Sequence, residues 1–508
     1  MKSKKNVSII TLLFSYANKI FLIVQGVVLV PMYLAHFPLS VYGAWLATGN
    51  IVGILGMLEG GMNMVYSQKL SFLFGQNKLH EFSLIETSGL FISLIILFLF
   101  ISIGFILSPF VPAWININYI YHSDIKTAFI IASFAASFGI LEQNMAAIVG
   151  SWLDAKINGI SNILGTISGI TAIIIGLKNN LGVISIPLGT LVDALAGVSF
   201  LGVFIYLKSK RNRFPKLHLN LQNVKGLIKD TIPLTFSNIG SSIISQSQYL
   251  IIANFINPAA TAIYAITIKV FIVVSSIIAP IASSIFNSVA YFDVKKDLTK
   301  VKDVFKRTLI IQGSISIALF GVVLAFNKSF ISLWVGAKDY GGDSLTILSF
   351  AALFLSYRFS FINTYFLALG FIKTNAISNL IEICIRMLFI LILISYFGYL
   401  AFPIAQIISV ILVLSFFYMK FIASSFLISL KETIRLYFNN LIFLIIISVL
   451  SSIILLVLPL INKWYVLIVS TVAFSLFILL LSLILSNTLR TELIKIYNSL
   501  KFKRLHAS

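Results

Sequence analysis

Four cationic side chains stand where an apolar sequence should not tolerate them. Lys19, Lys269, Arg358 and Arg386 each lie inside a largely apolar run long enough to cross a bilayer, a crossing that needs about 20 such residues. A cation at mid-bilayer costs roughly 2.5 to 3.5 kcal/mol on insertion scales, so each must face protein, water or an anion. Counted from the predicted helix starts at about 1.5 Å per residue, all four lie roughly 14 to 20 Å deep, near the midplane. Arg grips phosphate oxygens two at a time and Lys acts as a point charge, so the chemistry on offer is capture of a phosphate or diphosphate. Two carboxylates, Glu142 and Asp193, are also deep. They either neutralise Lys19 or take up a proton or sodium ion.

The elements that must carry these groups are helices. In the run from Ser8 to Leu34, Lys19 and Gln25 share a polar stripe with Ser8 and Ser15, which reads as a helix lining a hydrophilic cavity. Lys269 begins a second stripe, followed by Ser276, Pro280, Ser283 and Asn287. The competing reading for each lysine is neutralisation by a carboxylate for packing alone. Arg386 has Glu382 four residues before it, a spacing at which the two side chains meet, so an internal ion pair competes with ligand binding there. Arg358, among Ser356, Ser360, Asn363 and Thr364, carries the same two readings. Glu59 shares a stripe with Thr48, Gly56 and Asn63 near a span's end and reads as a gate or helix-end residue. A further run holds Asn238, Gln246 and Gln248 among several serines; these groups either hydrogen-bond sugars or let helices pack closely. Pro233 and Pro280 are candidate hinges.

Composition agrees with burial in lipid. Hydrophobic residues make up 59% of the 508, charged residues 10%, and the mean hydropathy is +1.02, which excludes an ordinary soluble domain. About 14 spans follow, near 8–34, 40–67, 84–108, 127–149, 158–177, 184–207, 231–256, 260–291, 308–327, 345–369, 375–397, 399–419, 438–460 and 464–486. With a cytoplasmic N-terminus, 28 Lys and Arg fall in cytoplasmic segments and 5 in outer ones, a strong positive-inside bias that places both termini in the cytoplasm. The net charge of +21 is thereby explained by topology and anionic-lipid contact, without nucleic acid. The basic stretch 293–307 reads as a short amphipathic surface helix.

Self-similarity at a separation near 220 residues divides the chain. Val41-Tyr42-Gly43-Ala44 matches Ile263-Tyr264-Ala265-Ile266, and Gly150 with Gly159-Ile160-Ser161-Asn162 matches Gly370 with Ala376-Ile377-Ser378-Asn379. The expected fold is an all-α polytopic membrane protein: two pseudo-repeated six-helix lobes in the same orientation around a central cavity, plus two C-terminal helices. The lobes span 1–207 and 231–425, joined by a basic cytoplasmic linker at 208–230. Extra helices occupy 437–487 and a basic tail 488–508.

Pro31-Met32-Tyr33-Leu34, Val41-Tyr42-Gly43-Ala44-Trp45 and Glu59-Gly60-Gly61-Met62, with the Ala262-Ile263-Tyr264-Ala265 echo, resemble the polysaccharide transporters, or Wzx-type O-antigen flippases, of the superfamily that also holds multidrug antiporters and lipid II flippases. The resemblance covers residues 1 to about 425. It departs at Glu59-Gly60-Gly61, where the family commonly has Asp-x-Gly. It implies a flippase moving undecaprenyl-diphosphate-linked O-antigen or capsule oligosaccharide outward across a bacterial inner membrane, with membrane lipids and polysaccharide-assembly proteins as partners. In lipid II flippases, cavity cations on comparable helices are implicated in holding pyrophosphate, which implies that role for Lys19 and Lys269.

No enzyme motif, metal-ligand cluster or cofactor loop is present in the sequence, and the single cysteine, Cys384, excludes an internal disulfide. Two other functions compete. An ion-coupled drug antiporter of the same fold should favour an anionic, aromatic-lined cavity. A membrane polymerase or glycosyltransferase needs a larger outer domain than the short outer loops provide.

Overall fold

The computed structural model describes residues 25–56, 61–212, 219–294, 298–413 and 441–485, with Phe21, Glu59, Lys431, Arg490 and Thr491. Lys19 lies outside these. The described residues are helical with no strand, and ten of the helices are long and apolar enough to cross a membrane, with a shorter apolar helix at Ile442–Val457. The chain is an all-α polytopic membrane protein, as its composition requires: backbone polar groups in lipid must be satisfied within each segment, which a helix does.

The chain forms two compact units, Met1–Ala262 and Ile263–Ser508. In the first, α1 (residues 25–36) leads into α2 (Leu39–Gly56), α3 (Met62–Gly75), α4 (Leu79–Leu107), the short α5 (Val111–Ile115), α6 (His122–Ser151), α7 (Ala155–Lys178), α8 (Ser185–Asn212) and α9 (Leu221–Phe255). Its core gathers Tyr66, Leu70, Phe82, Phe100, Ile148 and Leu201, all buried. The second unit takes α10 (Pro258–Val294) from its second turn onward, then α11 (Leu298–Trp334), α12 (Asp343–Ala368), α13 (Ile372–Phe397), α14 (Ala401–Val413), α15 (Leu441–Val457) and α16 (Trp464–Leu485). Its core is built on Phe271, Phe320, Leu324, Phe350 and Ile447.

Three features differ from the sequence reading. The second span is two helices rather than one: α2 stops at Gly56 and α3 starts after Gly61, whose φ of 84° lies in the left-handed region that glycine enters without steric cost. Glu59 stands in this break. Its Oε1 accepts a hydrogen bond at 3.1 Å from the amide of Asn63 in the first turn of α3, which otherwise has no partner within the helix. Second, the division between units falls after Ala262, so α9, expected to open the second lobe, packs with the first. Much of the expected linker is the start of α9, where Leu227 is fully buried and Asp230 meets Lys69 of α3 at 2.5 Å. Third, the end of the 293–307 stretch is not a separate surface helix but the start of α11. Phe305 is buried there, edge-on to Tyr365 of α12 with ring centroids 4.7 Å apart.

Candidate functional site

The break in the second span opens a polar layer through the first unit. Asn63 donates from Nδ2 to the carbonyl of Gln143 at 2.8 Å, and Asn144, fully buried, donates to Ser93 Oγ at 2.6 Å. Directly after the break, the side chain of Asn63 thus ties the first turn of α3 to the backbone of α6.

On the opposite side of α6 lies a cavity of about 510 Å³, walled by α2, α6, α7 and α8 and containing both deep carboxylates, Glu142 and Asp193. Trp45, Asn162, Thr166 and Thr190 complete its polar lining. Glycines make room for the acids. A β-carbon at Gly197 would overlap the Glu142 carboxyl, and one at Gly165 would stand 3.3 Å from Asp193 Cγ and nearer still to its Oδ1. Each carboxylate therefore rests against bare backbone of a neighbouring helix. Neither forms an ion pair among the described residues, and Glu142 and Asp193 are the only titratable groups in the lining. The expected pairing with Lys19 lies outside the described residues. Two carboxylates, an amide and two hydroxyls around a void can hold a proton, a metal cation such as sodium, or an ammonium group beside the Trp45 ring.

The sequence reading missed Glu86. It lies 4% exposed on α4, and its carbonyl accepts from the Tyr66 hydroxyl at 2.9 Å. Its place at the very start of the expected 84–108 span gives it the look of an interfacial end group, and α4 in fact begins a turn and a half earlier, at Leu79.

The cations of the second unit divide by their surroundings. Arg386 donates to Glu382 Oε1 from Nε at 2.8 Å and from a terminal nitrogen at 2.5 Å, and Ser409 of α14 donates to the same oxygen at 2.7 Å. The spacing-based ion pair is thus formed around a carboxylate only 4% exposed. Arg358 is 1% exposed, donating to the Leu309 carbonyl of α11 at 2.5 Å with its guanidinium over Phe354. Lys269, half-buried on α10, makes no hydrogen bond or ion pair among the described residues. Gln25 on α1 and Gln246 and Gln248 on α9 are half-buried. Pro233 and Asn238 fall within α9 and Pro280 within α10; their side chains lie outside the described set. Between α11 and α16 runs a groove of about 660 Å³, lined by aliphatic side chains such as Ile311, Leu319, Val472 and Leu476 with a few hydroxyls.

The sequence profile of the family described as "Polysaccharide biosynthesis protein" matches residues 75–286. No curated protein sequence matches the chain. Among solved structures, the chain is similar to an inward-facing multidrug resistance MATE family transporter of the MOP superfamily (TM-score 0.65, 13% identity, covering 82% of this chain and 96% of that one). It is also similar to the lipid II flippase MurJ in an inward closed conformation (0.63, 15%, covering 96% and 100%) and to the MATE multidrug transporter DinF-BH (0.58, 15%, covering 82% and 96%). The family profile thus covers a little under half of the chain, and the solved structures show that its all-helical membrane fold is the one shared by these MATE transporters and MurJ.

Proposed function

We propose that the chain is a flippase that moves undecaprenyl-diphosphate-linked oligosaccharide, an O-antigen or capsule repeat unit, from the cytoplasmic to the outer leaflet of a bacterial inner membrane by alternating access. The observation that carries this reading is Lys269. It lies roughly 16 Å along α10, half-buried and with no protein anion among the described residues. A cation kept at such depth without a partner is stable only where an anion or water reaches it, and a diphosphate headgroup is such an anion. Lys19 is the second cation assigned to the headgroup, and the amides of Gln25, Asn238, Gln246 and Gln248 to its sugars. Arg358 and Arg386, engaged inside the second unit, hold helices in register, and the chain performs no covalent chemistry on its cargo. The match to a polysaccharide biosynthesis family and the shared fold with a lipid II flippase support the same reading. Glu142 and Asp193 bind the coupling ion, a proton or sodium.

A specific observation favours one other reading. The acidic cavity beside Trp45 has the charge and aromatic wall that suit an organic cation, as expected of a drug antiporter. Proteoliposomes decide between them. A flippase moves a fluorescent undecaprenyl-diphosphate oligosaccharide between leaflets under a sodium or proton gradient, and Lys269→Glu stops it. A cation extruder instead transports a dye such as a rhodamine, tolerates Lys269→Glu and ignores the lipid; that pattern would overturn the flippase assignment.

A further inference from the structure

Helix α2 presents two adjoining edges. Trp45, Gly49 and Val52 line the acidic cavity; at 100° per residue they share one edge, and Gly53 lies only about 40° from Gly49 around the helix. Over Gly53 lies the carboxamide of Gln246 from α9, placed so that a β-carbon there would stand 2.5 Å from its Cδ and 2.8 Å from its Nε2. Gln246 is half-buried and makes no hydrogen bond among the described residues, although its own helix bonds elsewhere: Thr261 donates to the Tyr249 carbonyl, and Asn254 donates to the Trp114 carbonyl at 2.9 Å. A glutamine needed only to fasten two helices would spend its amide on a partner, because an unbonded amide out of water is costly. This one instead fills a notch that only glycine leaves open, beside the cavity wall.

We propose that Gln246 is the positioning residue that links α9 to the cavity. α2 is one of the four walls that an ion drawn between Glu142 and Asp193 can move, and a shift or rotation of α2 moves the floor on which the Gln246 carboxamide rests. The polar row of α9, assigned above to the sugar, then follows. Gln246 touches no ion and acts through α2. This inference rests on the reading of Glu142 and Asp193 as the coupling-ion site.

The test uses the full-length protein in lipid nanodiscs, with Cys384→Ser removing the native thiol and Leu250→Cys, one turn beyond Gln246, as the reporter. The rate of thiol labelling is measured with and without sodium and across an acid-to-alkaline series. Linked sites should differ by about fivefold or more between ion-bound and ion-free conditions. Gly53→Ala, which evicts only the mobile end of a side chain, should cut that response to less than about twofold. Adding Gln246→Ser, which removes the clash but also the carboxamide, should leave the response flat; a restored response would show that the carboxamide is not the link. Chromatographic homogeneity and thermal unfolding verify that Gly53→Ala is folded; if it is not, Gln246→Ala alone, which should also flatten the response, takes its place. A response that survives Gly53→Ala and Gln246→Ala but is lost in Glu142→Gln overturns the role of Gln246 and leaves the ion site standing. A parent protein whose labelling ignores both sodium and pH overturns the ion-site reading, and this inference with it.

Discussion

Among the described residues, the interior charges of the two units have opposite signs and opposite solutions. Among the described residues of Met1–Ala262 they are carboxylates: Glu142 and Asp193 face a cavity, Glu86 is buried, and Glu59 caps α3 at the break after α2. In Ile263–Ser508 they are mainly cations, and protein groups answer two of the three: Arg386 has a carboxylate, Arg358 a carbonyl and an aromatic face. Lys269 is the exception. The comparison teaches that burial alone does not mark a working charge. A charge with its partner beside it is already accounted for in the stability of the fold, whereas one held without a partner needs something that comes and goes. By that criterion the groups we propose to face a ligand are Glu142 and Asp193 in one unit and Lys269 in the other.

The sharpest way to break this contrast is at Arg386. Arg386→Ala strands Glu382 with only Ser409 and should cost about 3 to 5 kcal/mol, whereas replacing both members with Met should be near neutral; thermal unfolding in detergent reads both. An equal loss in the single and double variants would mean the pair is not self-contained. Lys269→Gln should behave in the opposite manner. Thermal stability should hold or rise, while transfer of the diphosphate-linked lipid falls roughly 10- to 100-fold, the value of a charge-assisted bond, and Lys269→Arg recovers much of it. If stability falls with transport, Lys269 belongs with the structural arginines. Smaller still, Glu59→Ala should remove the cap of α3 at a cost of about 1 kcal/mol, read by faster amide exchange confined to residues 62–66.

The smallest effect lies outside the spans, at Asp339. Its side chain is buried in the loop before α12, and burial pushes the carboxyl above the usual carboxylate range while Lys338 partly draws it back. The folded protein therefore holds that proton more tightly than the unfolded chain. Stability should rise as pH falls through the folded-state value, the gain being complete below the ordinary carboxylate pKa of about 3.9. Asp339→Asn should remove this contribution from the slope of unfolding temperature against pH. An unchanged slope would show the group to be solvated.

Much of this was legible from residue order because lipid imposes a simple rule on it. The expected span at 84–108 corresponds to Leu79–Leu107, that at 184–207 to Ser185–Asn212 and that at 464–486 to Trp464–Leu485. The Glu382 and Arg386 pair was visible too, since four residues along a helix is a fixed distance. The break at Glu59-Gly60-Gly61 was not: a run of apolar residues and glycines reads the same whether the helix continues or turns, and the left-handed φ of Gly61 is a local choice stabilised by Asn63 and α6. Nor was the placement of α9, because hydropathy says that a helix is buried without naming its neighbour.

The sequence by itself determined that this protein crosses a membrane many times, which segments do so and which charges are trapped among them, since each follows from hydropathy and spacing along one chain. Only the tertiary structure decided which trapped charges meet a partner and which are left open. That depends on groups distant in the chain, such as Ser409 beside Glu382, Leu309 beside Arg358 and Gly197 beneath Glu142, and no periodicity encodes contact between helices.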